Sequence, residues 1–149
     1  MKLATKRFGT IEVDDDNVLQ VPTGIPGFPE LRRVTLLAAT GVEPDLPLYW
    51  MQDLDDGDLA FLCLVPWASF PEYDIEFDDF ELGIVDAGDV RILNLISVRR
   101  DESGATMSAN LRAPLIVDVR QQQLHQVILS DSRWSVNAVL GAAVHAEVQ

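Results

Sequence analysis

Eight residues near the N-terminus, Pro22-Thr-Gly-Ile-Pro-Gly-Phe-Pro29, contain three prolines and two glycines. Proline fixes φ and has no N–H to donate, and glycine loses the most backbone freedom on ordering, so no helix runs through this stretch. It reads as a rigid loop, with Phe28 as its apolar plug. The same punctuation recurs along the chain. Asp14–Asn17, Asp53–Asp58, Pro66–Tyr73, Asp86–Asp89 and Arg99–Gly104 separate apolar segments too short to be helices. Short apolar segments between turn signals specify strands. The expected fold is all-β, a small antiparallel β-barrel-like single domain with one or more short helical turns. It spans 1–149, with a core of about 8–130 and a C-terminal tail at 131–149.

Strands are expected at Phe8–Val13, Val18–Val21, Arg33–Ala38, Leu48–Gln52, Leu59–Val65, Val90–Val98, Ala105–Ser108, Leu115–Val119 and Gln126–Ser130. Leu59–Val65 is almost continuously apolar, as in a strand covered on both faces. Cys63 within it is read as a small core residue. Gln121–His125 reads as a polar turn, and Val136–Val148 as a frayed helix. From Glu72 to Phe77 charged and apolar residues alternate with period two, placing Tyr73, Ile75 and Phe77 inward and Glu72, Asp74 and Glu76 outward along a strand. A helical turn is expected to follow, capped by Asp78 or Asp79. In Asn110-Leu-Arg-Ala-Pro114, Asn110 suits a side-chain-bonded turn and Pro114 suits a strand start. A structural corner accounts for it on chemistry alone.

Charge narrows the partners. Of 149 residues 48% are hydrophobic, while 24 are Asp or Glu against 11 Lys or Arg, for a net charge of −13. The acidity is regional: no Lys or Arg occurs from Val34 to Val90, a stretch holding fourteen of the acids, Glu43 and Asp45 among them. Free nucleic acid and anionic membrane need basic groups, so neither suits this surface. A basic protein suits it, because complementary fields speed and select encounter. A single cysteine, Cys63, permits no internal disulfide and fits a reducing cytoplasm. No apolar run reaches the ~20 residues of a membrane span.

The chain carries no recognisable motif for catalysis or cofactor binding. His125 and His145 have no ligand partner nearby in sequence, and no glycine-rich phosphate loop or nucleophile elbow is present. Asp53–Asp58 resembles a calcium loop superficially, but Gly57 falls where a ligand belongs and no terminal Glu follows. No catalytic, cofactor or metal residue is assigned. Two rival functions remain open: an acidic nucleic-acid mimic that inhibits a basic DNA- or RNA-binding protein, and a carboxylate-dependent carbohydrate-active β-barrel enzyme. The second requires carboxylates of raised pKa in an aromatic-lined cleft.

Pro22–Phe28, Leu59-Ala-Phe-Leu62, Val65-Pro66, Phe70-Pro-Glu-Tyr73, Asn110-Leu-Arg-Ala-Pro-Leu-Ile116 and Gln126-Val-Ile-Leu129, in this order and spacing, resemble the FliW family of flagellar assembly factors. The resemblance runs from about Phe8 to about Leu129. It implies a non-enzymatic, cytoplasmic β-barrel-like protein without cofactor that binds the RNA-binding translational regulator CsrA. Such a protein relieves CsrA repression of flagellin mRNA, and newly made flagellin competes for it. A free monomer is expected. Arg112 stands where Lys or Gln is as familiar in the family, and Pro29 where an acid is usual; both bear on contact detail. The regulator's contacts are expected at Glu72, Asp74, Glu76, Asp78 and Asp79. Flagellin's are expected at apolar groups around the Pro-rich loops, Ile25, Phe28, Trp67 and Phe70, of which Phe28 and Phe70 are more suited to the core; Asn110 and Arg112 are further partner-binding candidates.

Overall fold

In a computed structural model that describes residues 1–39, 46–131 and 133–140, eleven strands and one short helix are assigned. They are β1 (Lys2–Thr5), β2 (Gly9–Glu12), β3 (Leu19–Gln20), β4 (Arg33–Ala38), β5 (Leu48–Asp53), β6 (Ala60–Leu64), α1 (Asp79–Leu82), β7 (Val90–Asp101), β8 (Gly104–Ala109), β9 (Leu115–Asp118), β10 (Gln123–Gln126) and β11 (Ala138–Val139). β3 to β7 follow one another as neighbours. β3 also meets β10, β10 meets β9, and β9 returns to β7, so these strands close a ring. Closure of this kind removes sheet edges. Every pairing is antiparallel except β3–β10, which runs parallel and is registered only at Gln20 and Gln123. The expected β-barrel-like architecture is therefore present.

β7 is the shared strand. Val90–Leu93 pairs with β9, Asn94 and Leu95 pair with β6, and Ile96–Asp101 pairs with β8. It runs three residues beyond the expected end at Val98, because Arg99–Asp101 stay paired to β8 and the turn shrinks to Glu102-Ser103. Asp101 Oδ1 accepts from Ser103 N at 2.9 Å and from the Ser103 hydroxyl.

Two apolar clusters lie on opposite faces of the ring wall, as strand periodicity requires. Inside are Leu19, Val34, Met51, Cys63, Leu93, Leu115 and Val117. Outside are Leu48, Leu64, Ile92 and Ile116, covered by Tyr73, Ile84 and Leu140. Cys63 thus lies on the inner face and its neighbours Leu62 and Leu64 on the outer, which accounts for the unbroken apolar character of β6.

Four expectations change. Glu72–Phe77 forms no strand; the alternation holds in burial, with Tyr73, Ile75 and Phe77 packed inward, but the segment crosses the outer cluster with no neighbour to pair with. The last strand of the ring lies at Gln123–Gln126, mostly over the expected polar turn at Gln121–His125 and not at Gln126–Ser130, because Leu124 points inward opposite Val117. Residues 127–130 follow as irregular chain that hydrogen-bonds the 112–114 corner. The packed structure is wider than 8–130. β1 pairs with β2, and Trp134, Ala138 and Leu140 join the outer cluster. Where a helix over Val136–Val148 was expected, Ala138–Val139 pairs with β8; 141–148 lie outside the described residues, as do Glu43 and Asp45.

Candidate interaction surfaces

The segment following Pro71 carries the first surface. Burying Tyr73, Ile75 and Phe77 turns Glu72, Asp74 and Glu76 to solvent. The chain then enters α1, where Asp78 Oδ1 accepts from Phe80 N at 3.0 Å and Glu81 N at 3.1 Å, the expected N-cap. Gly83, at φ 74°, ends the helix. All five expected acids are exposed on one short stretch. With them stands Phe80, 93% exposed, and Val85 is also exposed. The helix is too short to bring Phe80 back to the core. An exposed aromatic among carboxylates is the usual composition of a binding anchor within a polar rim. The sequence signal was the Asp-Asp-Phe-Glu run itself, with an apolar residue enclosed by acids on both sides.

The Asn110–Pro114 corner is structural. Asn110 Oδ1 accepts from Arg112 N at 3.2 Å and Ala113 N at 3.1 Å. Arg112 Nε donates to Leu129 O at 3.0 Å, and Leu129 N donates back to Arg112 O at 2.7 Å. Gln126 Nε2 donates to Ala113 O. Tyr73 crosses from the acidic segment and donates its hydroxyl to Leu111 O at 2.7 Å, while buried Asn94 donates to that hydroxyl and to Asn110 O. The side chains of Asn110 and Arg112 thereby help hold the chain, and both stay partly exposed.

The expectation for Ile25 is corrected. It is 3% exposed, in the inner cluster, because the loop folds back through an Ile25–Phe28 bridge. That fold leaves Phe28 outside, 41% exposed, its ring set edge-on to Phe61 at 4.8 Å. The two residues exchange the roles expected of them. Phe70 is partly buried against the outer cluster, as expected. Trp67 is 45% exposed, 5.8 Å from Tyr73.

Trp67 edges an apolar cleft of about 320 Å³ that also takes in Leu36, Tyr49, Val65, Leu93, Val117 and Val119, with Arg91 as its only charged wall among the described residues. A second cleft, about 370 Å³, is acidic; Asp53, Asp55, Asp56 and Glu30 line it beside Phe28 and Leu59. Asp53 sits at the end of β5, and burial and its neighbours Asp55 and Asp56 push its carboxyl up, against two backbone N–H donors that pull it down. Arg33 pairs with Asp55 at 2.6 Å. Cys63 is sealed in the inner cluster, and burial pushes its thiol up to about 12. A thiol so held is not a nucleophile.

A family model described as FliW protein matches residues 2–140. The chain belongs to the FliW family. FliW relatives include the flagellar assembly factor FliW of Treponema denticola, 30% identical over 98% of this chain and 97% of its own length. That of Syntrophus aciditrophicus is 34% identical over 91% of this chain and 85% of its own. A solved structure titled as the crystal structure of the flagellar assembly factor FliW superposes with a TM-score of 0.80 at 31% identity, covering 94% of this chain and 96% of that one. The FliW match starts before Phe8 and extends past Leu129, in keeping with β1 and with the packing of Trp134 and Leu140. No helix of the described residues is long and apolar enough to cross a membrane.

Proposed function

We propose that this chain is a non-enzymatic, cytoplasmic assembly factor that binds a CsrA-type RNA-binding regulator and flagellin, one at the expense of the other, and so ties flagellin translation to flagellin demand. The observation that carries the reading is the exposed row Glu72, Asp74, Glu76, Asp78 and Asp79 with exposed Phe80 next to its last acid, on a chain whose relatives are named flagellar assembly factors. Carboxylates would steer a basic regulator and Phe80 would anchor it. The apolar cleft at Trp67 suits an apolar segment of flagellin.

The test is calorimetric titration of this protein with the CsrA-type regulator and with flagellin of the same organism, at low and raised salt. Binding of both, with flagellin displacing the regulator, supports the switch. Binding of the regulator alone removes the feedback. A folded sample that binds neither overturns the reading. Of the rivals, a nucleic-acid mimic would bind many basic proteins with steep salt dependence. An acid-base enzyme would need two carboxylates free to work on a substrate; Asp53, the acid whose carboxyl is pushed up, has one oxygen committed to a turn.

A further inference from the structure

One end of the ring is open, and the layer of side chains there is unlike the layer beneath it. On five strands, the residue two places beyond a member of the inner cluster keeps the same face and lies toward this end. These are Leu36 beyond Val34, Tyr49 beyond Met51, Val65 beyond Cys63, Arg91 beyond Leu93 and Val119 beyond Val117. All five line the cleft of about 320 Å³, whose most enclosed walls include Leu93 and Val117. Trp67 and Val119, each 45% exposed, form its lip. The lower layer is wholly apolar, whereas the mouth layer is four apolar side chains and one guanidinium. Arg91 Nη1 donates to the carbonyls of Gly88 and Val90 at 2.9 and 3.0 Å, while Nε and Nη2 make no hydrogen bond and no carboxylate pairs with Arg91 among the described residues. The chain has 24 acids and a net charge of −13, yet no acid lines this cleft among the described residues.

From this geometry we infer that the open end of the ring binds one medium-chain fatty acid, its alkyl chain running in to Leu93 and Val117 and its carboxylate meeting Arg91 at the lip. The head group is set by charge. Arg91 is the lone charge on the walls among the described residues, and a guanidinium pairs a carboxylate through two parallel N–H donors. The body is set by the walls. Inside the lip they are apolar apart from the Tyr49 hydroxyl, so a peptide backbone entering here would leave N–H and C=O groups unpaired at high cost, and an alkyl chain carries none. An unbranched chain of roughly 8–12 carbons fits, since a pocket at the lower end of the ~300–1,000 Å³ range takes one small ligand. A flagellin segment laid across Trp67 stays at the lip, so occupancy of the interior does not rest on flagellin binding.

The probe is decanoate, titrated below its micelle concentration into the 15N-labelled full-length protein at neutral pH, with hexanoate, decan-1-ol and decyltrimethylammonium as controls. The expected result is one saturable site, with shifts at the amides of Leu36, Tyr49, Val65, Leu93 and Val117. Hexanoate should bind at least tenfold more weakly, since each buried methylene is worth about fourfold in affinity. Decan-1-ol should bind several-fold more weakly, and decyltrimethylammonium not at all. Arg91→Gln, at an exposed position, should keep a native spectrum, weaken decanoate about tenfold and leave decan-1-ol binding unchanged. Val119→Trp, at the exposed lip, fills the mouth and should weaken both. No binding, unsaturable shifts centred on Phe80 and Val85, equal affinity for decyltrimethylammonium, or undiminished decanoate binding by Arg91→Gln would overturn the inference. None of these outcomes moves the flagellin titration, so the two readings fail separately.

Discussion

Asp53 illustrates how a half-satisfied acid in a withdrawn position is costly for folding. Its carboxyl is pushed up in the folded chain, so folding favours the protonated form. The cost is therefore present above the folded-state pKa and disappears as pH falls below the unfolded value. Asp53→Asn should raise the melting temperature at pH 7, and the gain over wild type should shrink steadily toward pH 3; an unchanged or lowered melting temperature at pH 7 would refute this. Tyr73 lies at the opposite extreme. Its hydroxyl donates to Leu111 O and accepts from Asn94, both buried. Tyr73→Phe strands two polar groups and should cost about 1–3 kcal/mol, read from urea unfolding. Cys63, sealed inside the ring, should resist iodoacetamide at pH 8 in the native protein and react fully once it is denatured.

At the scale of elements, loops hold the strands in place. Gly24 sits at φ 66°, and a Cβ there would meet Pro29 O at 2.6 Å. Gly24→Ala should therefore destabilise by more than the ~1 kcal/mol typical of a strained position, and its chemical denaturation midpoint would show it. That the Pro22–Pro29 loop is rigid was legible in its composition. That it turns Ile25 in and Phe28 out was not, since the inversion comes from a bridge between the two residues themselves. The same contrast holds elsewhere. The α1 cap and the strands β4 to β6 could be read from local patterns, within a residue or so at each end. Gln123–Gln126 could not, because a strand of Gln, Leu, His and Gln has one apolar residue and is held by its neighbours on both sides. The acidic row was legible from charge alone, but the exposure of Phe80 beside it was not, because spacing says nothing of where a helix ends. The interior position of Asp53 required the ring.

For the whole molecule, the outer cluster shows that residues past Ser130 belong to the fold. Trp134 packs edge-on to Tyr73 at 4.9 Å, and Ser135 O accepts from Leu111 N at 2.9 Å. Truncation after Ser130 exposes Tyr73 and Leu111 together and should lower the melting temperature clearly, where loss of a loose tail would leave it unchanged. The two clefts are chemically unlike: among the described residues one is apolar with Arg91 on its wall, and the other is acidic beside Phe28.

The ring is closed by its last strands. β9 and β10 must arrive before the Val90–Leu93 part of β7 is paired with β9 and before β3 gains its second neighbour, and Gln122 reaches back across 104 residues to Val18 O at 2.9 Å. During synthesis the meander from β3 to β7 leaves the ribosome with two bare edges and stays in that condition until residue 126 has emerged. Long-range closure of this kind slows folding, and bare edges recruit other chains. The C-terminal third thus serves as the chain's protection against its own nascent form.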